Sequence, residues 1–288
     1  MDDKTVVVTG AASGIGRALA KKMSGLGNRL VLSDVDGTRL RAIKGEVDSD
    51  SIFVECDVSK EEDCLELAEI TREKFGVPQL LFNNAGVIGR FASIWEQRRV
   101  EWERVFAVNV QGVANMLRAF VPSMLGQEAS SHIINTASEA ALTSRAFVGV
   151  YHASKHAVLA MSEALAQELN YMDAKIRVSV LCPGGVNTNV LNHLDGAEKT
   201  DDELLGDTGS EGAEALERVY RTSLANAMSP DDVADRVIQG IVNQDFFIFS
   251  HPEVASLPEL RASAVKENTY PSLSVGLVEQ MKKERDDN

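Results

Sequence analysis

Thr5-Val6-Val7-Val8-Thr9-Gly10-Ala11-Ala12-Ser13-Gly14-Ile15-Gly16 reads as a strand, a glycine turn and the opening of a helix. The residues up to Thr9 are all β-branched, which suits a strand. Beyond the turn, Leu19, Ala20 and Met23 share one helical face. Glycines let the backbone turn tightly and approach a pyrophosphate, while the N–H groups and dipole at a helix start attract its negative charge. Gly10, Ser13, Gly14, Ile15 and Gly16 are therefore candidate cofactor contacts, with Gly16 permitting close packing of helix on strand. The spacing is Gly-x-x-x-Gly-x-Gly rather than the commoner Gly-x-Gly-x-x-Gly, so the flanking elements and a downstream acid must carry the reading.

That acid is Asp34, which closes the second β-rich run. A carboxylate there binds the adenosine ribose hydroxyls and repels the extra phosphate of NADP. No Arg or Lys follows until Arg39, so NAD is expected over NADP. Taken alone, Asp34 is also compatible with a plain turn formed with Asp36 and Gly37.

Outward from this unit, short β-branched runs alternate with segments of helical period as far as Cys182. This is the pattern of a doubly wound parallel sheet with helices on both faces, whose strands can be apolar on either side. Candidate strands are Thr5 to Thr9, Arg29 to Ser33, Ser51 to Cys56, Gln79 to Phe82, His132 to Thr136 and Ile176 to Leu181, with a seventh at Phe246 to Phe249. Before the last, Ser229 caps a helix with Pro230 at its first position and Asp232 completing a capping box. Val233, Val237, Ile238, Ile241 and Val242 form its apolar face. The expected architecture is one α/β Rossmann domain spanning residues 1–288. Residues 189–227 break the rhythm, turning weakly helical around Glu211 to Tyr220, and read as an insertion that is either a lid or a surface loop. An extension runs from about 250 to 288, its end from Lys282 to Asn288 expected to fray.

The 288 residues are 44% hydrophobic and 25% charged, a globular composition. A formal charge of −14 opposes nucleic-acid backbones and anionic membranes. Cys56, Cys64 and Cys182 form no CxxC pair and no His cluster accompanies them, so no metal site is expected and a reduced, cytoplasmic setting fits. Cys182 reads as a small buried hydrophobe. Asp2 and Asp3 precede only a short apolar run, unlike a signal peptide, and no stretch reaches membrane-spanning length.

Tyr151 and Lys155 stand four apart in Tyr-His-Ala-Ser-Lys, at the front of an apolar helical segment, so both project from one side of the helix. A tyrosine is a poor base at neutral pH; a nearby ammonium and an oxidised nicotinamide favour its phenolate. A Tyr-x-x-x-Lys pair also arises where Tyr merely packs and Lys snorkels. Ser138 changes the weighting: it follows the fifth strand, at the end where α/β sheets hold ligands, and its hydroxyl can orient a substrate oxygen.

With Asn83-Asn84-Ala85-Gly86, Cys56-Asp57-Val58, Val108-Asn109-Val110 and Pro183-Gly184 added in order, residues 5–250 resemble the short-chain dehydrogenase/reductase family. The resemblance implies a catalytic tetrad of Asn109, Ser138, Tyr151 and Lys155, with Asn109 holding a water that links Lys155 to solvent. It implies an adenine contact at Asp57, a cofactor contact at Val58, and a cofactor wall at Asn84, Ala85 and Gly86 beside Asn83. It further places Pro183, Gly184, Val186 and Thr188 against the nicotinamide carboxamide. Turn stabilisation is an alternative role for the paired asparagines. The long helices expected over Trp95 to Leu125 and Val150 to Tyr171 are similar to those that pair between subunits in the family, implying a homo-oligomer, dimer or tetramer.

Phe91, Ile94, Trp95, Leu142, Phe147 and the insertion are expected to wall a pocket for a bulky hydrophobic or aromatic secondary alcohol or ketone. Core packing would use such residues equally well. The run Phe246-Phe247-Ile248-Phe249-Ser250-His251-Pro252-Glu253 is similar to that of family members oxidising bulky aryl alcohols. Steroid, sugar or acyl ketone substrates are the alternative within the class. A sensor or scaffold that binds NAD without turnover is the alternative outside it, although such a protein has no need of Tyr151 and Lys155 in register with Ser138.

Overall fold

Alternation along the first strand builds the two layers of the core. In the computed structural model, which describes residues 2–47, 50–191 and 211–269, β1 (Thr5–Thr9) turns Val6 and Val8 to one face of the sheet and Val7 to the other. Each face is sealed by helices, so every residue of β1 is buried. After β1 come α1 (Gly14–Gly25), β2 (Arg29–Asp34), α2 (Gly37–Ala42), β3 (Ser51–Glu55), α3 (Glu61–Phe75) and β4 (Leu80–Asn83). The chain continues with α4 (Arg99–Phe106), α5 (Gly112–Leu125), β5 (Ser131–Thr136), α6 (Gly149–Tyr171) and β6 (Ile176–Cys182). It then forms α7 (Glu211–Ala225), α8 (Pro230–Asn243), β7 (Phe247–Phe249) and α9 (Leu257–Glu267).

The seven strands form one parallel sheet in the order β3-β2-β1-β4-β5-β6-β7. The predicted fold class is therefore correct, with strand ends displaced by a residue. α1 packs on α8 over one face, while α3, α5 and α6 cover the other. The order reverses between β1 and β4, and the crevice beyond their C-terminal ends is where such sheets bind ligands.

α8 begins as expected: the Ser229 hydroxyl accepts from Asp232 N–H at 3.1 Å, and Pro230 occupies the first turn. The Asp232 carboxylate accepts from the Ser229 hydroxyl at 2.6 Å instead of returning to the cap backbone. Val242 is 58% exposed and lies outside the apolar face that Val233, Val237 and Ile241 form.

The helix expected from Trp95 starts only at Arg99. Residues 87–98 are a loop held by side chains: Gln97 donates to the Arg90 and Ala92 carbonyls, and the nearly buried Glu101 carboxylate meets Arg98 and Arg104. Those guanidiniums keep the Glu101 carboxyl below its ordinary range against the upward push of burial. Between α4 and α5, Ala107–Gln111 forms a π-turn. Such single turns insert an extra residue and occur often at functional sites.

The helical run expected at Glu211 to Tyr220 extends to Ala225 and buries Ala213, Ala215, Leu216 and Val219. Residues 192–210 of the expected insertion and the terminal stretch Lys282 to Asn288 lie outside the described residues.

Candidate active site

The phosphate turn closes on itself tightly. Gly10 has φ +65°, and a Cβ there would stand 2.9 Å from the Ala85 backbone; a Cβ on Gly16 would collide with the Gly10 carbonyl. These contacts bind the first turn to the start of the 84–86 segment, which Asn84 reinforces by donating to the Thr9 carbonyl at 3.0 Å. At the end of β2 the Asp34 carboxylate accepts from the Ala12 and Asp36 N–H groups, each at 3.0 Å. Two fixed donors hold it beside the glycine turn while lone pairs remain for hydroxyl groups. Asp36 caps α2, accepting from Thr38 and Arg39, and also pairs with the Arg39 guanidinium at 3.3 Å.

One cavity of about 580 Å³ runs from this end to Tyr151. Of the sequence-predicted residues it brings together Gly10, Ser13, Gly14, Ile15, Asp34, Asp57, Val58, Asn84, Ala85, Gly86, Ser138, Tyr151, Lys155, Pro183, Gly184, Val186 and Thr188. A glycine-lined cradle with a carboxylate at one end fits a dinucleotide in shape and chemistry. Gly16 and Asn109 do not line it. Gly16 packs behind the turn, and Asn109 is fully buried in the π-turn.

Asn109 acts through its neighbours. Its side chain accepts from Val87 N–H at 2.8 Å and donates to the Val87 carbonyl and the Ser154 hydroxyl, both at 2.9 Å. Ser154 in turn donates to the Tyr151 carbonyl at 2.7 Å, so the π-turn is tied to the first turn of α6. A methyl at Gly86 would lie 3.3 Å from both Asn109 Oδ1 and Lys155 Nζ, which shows how closely the two approach.

Tyr151, Lys155 and Ser138 converge as the sequence implies. Ser138 and Tyr151 share one stretch of the cavity wall, and the Ser138 hydroxyl accepts from Ala140 N–H at 3.1 Å and donates to the Pro183 carbonyl at 3.5 Å. Lys155 Nζ donates to the Thr136 carbonyl at 2.9 Å and lies 5.7 Å from the centre of the Tyr151 ring. Burial lowers the Lys155 ammonium to about 8. Burial also pushes the Tyr151 phenol up to about 12, against the lowering influence of the neighbouring Ser138 hydroxyl, with the nearby Tyr220 phenol and the Glu139 carboxylate adding to the rise. The protein's own groups thus hold Tyr151 protonated; the expected lowering by Lys155 is not among the causes.

The expected substrate walls need correction. Ile94 and Trp95 are 51% and 78% exposed. Leu142 is buried in a core cluster with Val158 and Val180, and Phe91 lies behind the wall, its ring edge-on to Tyr220 at 5.3 Å. Phe147 packs under α7 and does not line the cavity. Among the described residues the wall near Tyr151 comes instead from Ile88, Glu139, Ala140, Val190, Tyr220 and Leu224. Nothing local in the sequence marks Ile88, Glu139, Ala140 and Val190, whereas the amphipathic period of Glu211 to Ala225 was the available signal for Tyr220 and Leu224. His152, next to Tyr151, was also missed: its Nδ1–H donates to the Thr143 and Ala140 carbonyls at 2.8 and 3.1 Å, fixing the turn that follows Ser138. Cys182 is fully buried, and burial raises its thiol to about 12, as befits an inert hydrophobe. Among the described residues there is no cluster suited to a metal ion and no helix long and apolar enough to cross a membrane.

Comparison with known proteins agrees with this geometry. The family model described as short chain dehydrogenase matches residues 4–199. A CLA biosynthesis dehydrogenase/reductase of Lactiplantibacillus plantarum is 30% identical over 283 residues, covering 95% of this chain and 96% of the relative. The 1-deoxy-11-beta-hydroxypentalenate dehydrogenase of Streptomyces avermitilis is 32% identical over 257 residues, covering 88% and 86%. Among solved structures, a short chain dehydrogenase/reductase from Burkholderia phymatum in complex with NAD superposes with a TM-score of 0.84 at 36% identity, covering 96% of this chain and 98% of its own.

Proposed function

Because the chain belongs to the short-chain dehydrogenase family and is an oxidoreductase of that family, we propose that it moves a hydride between NAD and a bulky hydrophobic or aromatic secondary alcohol or its ketone. The observation that carries the proposal is the single cavity joining Asp34, at the end of β2, to Ser138, Tyr151 and Lys155. Asp34 would hold the adenosine ribose, the Gly10 to Gly16 turn the pyrophosphate, and Pro183 to Thr188 the nicotinamide end. When bound, the oxidised nicotinamide supplies the hydride acceptor and a positive charge that favours the Tyr151 phenolate. Ser138 would hold the substrate oxygen by hydrogen bonding, and Tyr151 would take that oxygen's proton in oxidation and return it in reduction. Lys155 would anchor the ribose beside Tyr151, with Asn109 fixing the Val87 backbone and α6 behind it.

NAD is favoured over NADP by the Asp34 carboxylate. Ile88, Val190 and Leu224 favour an apolar substrate body. The whole chain, 1–288, is proposed as one dehydrogenase unit that assembles as a homo-oligomer, consistent with exposed Val100 on α4 and exposed Tyr171 and Met172 at the end of α6. The test is reduction of NAD followed by absorbance with aryl, alicyclic, steroid and sugar alcohols. Tyr151→Phe should keep NAD binding and lose at least about a thousandfold in turnover; a variant that still turns over removes Tyr151 from the proton transfer.

A further inference from the structure

A polar cluster stands in the otherwise apolar wall that shares the cavity with Tyr151. Arg145 Nη1 donates to the Tyr220 hydroxyl at 2.8 Å and pairs with Glu139 Oε1, also at 2.8 Å. Tyr220 and Glu139 both line the cavity, whereas Arg145 stands behind them. The cluster joins α7 to the segment between Ser138 and Tyr151, across 75 residues of sequence. The Tyr220 ring is pinned by Phe91, edge-on at 5.3 Å, which leaves its hydroxyl in a fixed place. Burial raises the Tyr220 phenol, so the hydroxyl keeps its proton.

The cluster leaves hydrogen-bonding capacity unused. Arg145 is a donor only, so the Tyr220 oxygen accepts from it, and among the described residues no acceptor takes the Tyr220 proton. The Glu139 carboxylate has acceptor sites beyond the one Arg145 fills. Packing alone would be served by Phe at 220 and by an apolar residue at 139, without the cost of taking polar groups out of water. The Tyr220 oxygen and Glu139 Oε1 share one nitrogen, so they are separated by no more than twice 2.8 Å. A single hydroxyl can therefore reach both, accepting from Tyr220 and donating to Glu139 at ordinary hydrogen-bond lengths.

We infer that Tyr220 and Glu139, set by Arg145, form a subsite for a second hydroxyl on the substrate, so that the preferred substrate is an apolar secondary alcohol or ketone carrying one further hydroxyl group. This rests on the proposed function and narrows its substrate class. A site built to hydrogen-bond a hydroxyl discriminates against the analogue that lacks it, because its polar groups are then left unpaired.

The experiment compares matched probes: sec-phenethyl alcohol, styrene glycol with its extra hydroxyl on the neighbouring carbon, and the para-hydroxy derivative of sec-phenethyl alcohol. The quantity read is the ratio of kcat/KM between each hydroxylated probe and the parent, in which a general loss of activity cancels. Wild type should favour at least one hydroxylated probe by about tenfold or more, and Tyr220→Phe and Glu139→Leu, which remove the donor and the acceptor, should each bring the ratio close to one. Equal handling of all three probes by wild type overturns the inference while leaving the dehydrogenase reading intact, since the parent is still oxidised. A preference that survives both substitutions also overturns it. Absence of NAD reduction with every probe is the failure of the broader reading. In that event the same ratio is read from binding of the probes to the protein with NADH, by nicotinamide fluorescence, and decides the subsite by the same two criteria. Should Tyr220→Phe fail to fold, Glu139→Leu carries the test.

Discussion

At Asp34 a single carboxylate is fixed beside the glycine turn, and the proposed preference for NAD rests on its charge. Two backbone donors hold it, and Arg39 stands nearby on the same cavity wall, occupied with Asp36. Removing the negative charge should release repulsion against a ribose phosphate and leave Arg39 to attract it. Asp34→Ser is therefore expected to raise the NADP to NAD ratio of kcat/KM by at least about tenfold, measured with one alcohol and both cofactors; an unchanged ratio would locate the selectivity elsewhere. Asp34, Ser138, Tyr151 and Lys155 were legible in the sequence because each sits at a fixed offset from an element that the sequence itself announces. Tyr220 and Glu139 were not, since their meaning depends on Arg145 and on a contact between segments far apart in the chain. Trp95 and Leu142 misled for the opposite reason: an apolar side chain looks the same whether it faces a pocket, a core or solvent.

The short strand β7 and the loop after it have a task that strand geometry alone does not explain. Gly184 N–H donates to the Ser250 hydroxyl at 3.0 Å, and Ser250 pairs with His251 Nδ1 at 2.7 Å. A methyl at Gly184 would lie 2.8 Å from His251 Nδ1. Gly184→Ala should therefore displace the 183–188 segment and raise the KM for NAD, while affinity for ADP-ribose, which lacks the nicotinamide, stays near wild type. Adding His251→Ala should restore much of the loss; an equal effect on ADP-ribose would mean a general collapse of the site. The elements themselves were largely predictable from period and composition. The break at Ala107–Gln111 was not, because a π-turn leaves the helical pattern of apolar residues almost undisturbed while the Asn109 side chain takes its partners from Val87 and Ser154.

For the whole molecule, two buried histidines set a limit on acid stability. The Ser179 hydroxyl donates to the Asp245 carbonyl at 2.5 Å, so His132 donates to Ser179 through Nε2–H, and the neutral ring is the Nε2–H tautomer. Burial lowers His132 and His152 from 6.5 to about 4. The folded state then holds fewer protons than the unfolded chain between those values. The stabilisation is complete above the unfolded value and is lost as pH falls towards 4, by on the order of 3 kcal/mol for each histidine. Melting temperature should drop between pH 6.5 and 4.5, and His132→Gln should make that slope shallower; parallel slopes would acquit His132. Because all seven strands run the same way, the sheet has two unlike rims. Turns at one rim assemble the chemistry from remote parts of the chain, while those at the other, such as Met172-Asp173-Ala174 between α6 and β6, only reverse direction. Evolution and engineering thus meet a molecule with a programmable side and a permissive side: a reporter spliced in at Asp173 would leave the oxidoreductase its specificity, whereas new specificity must be written at the opposite rim.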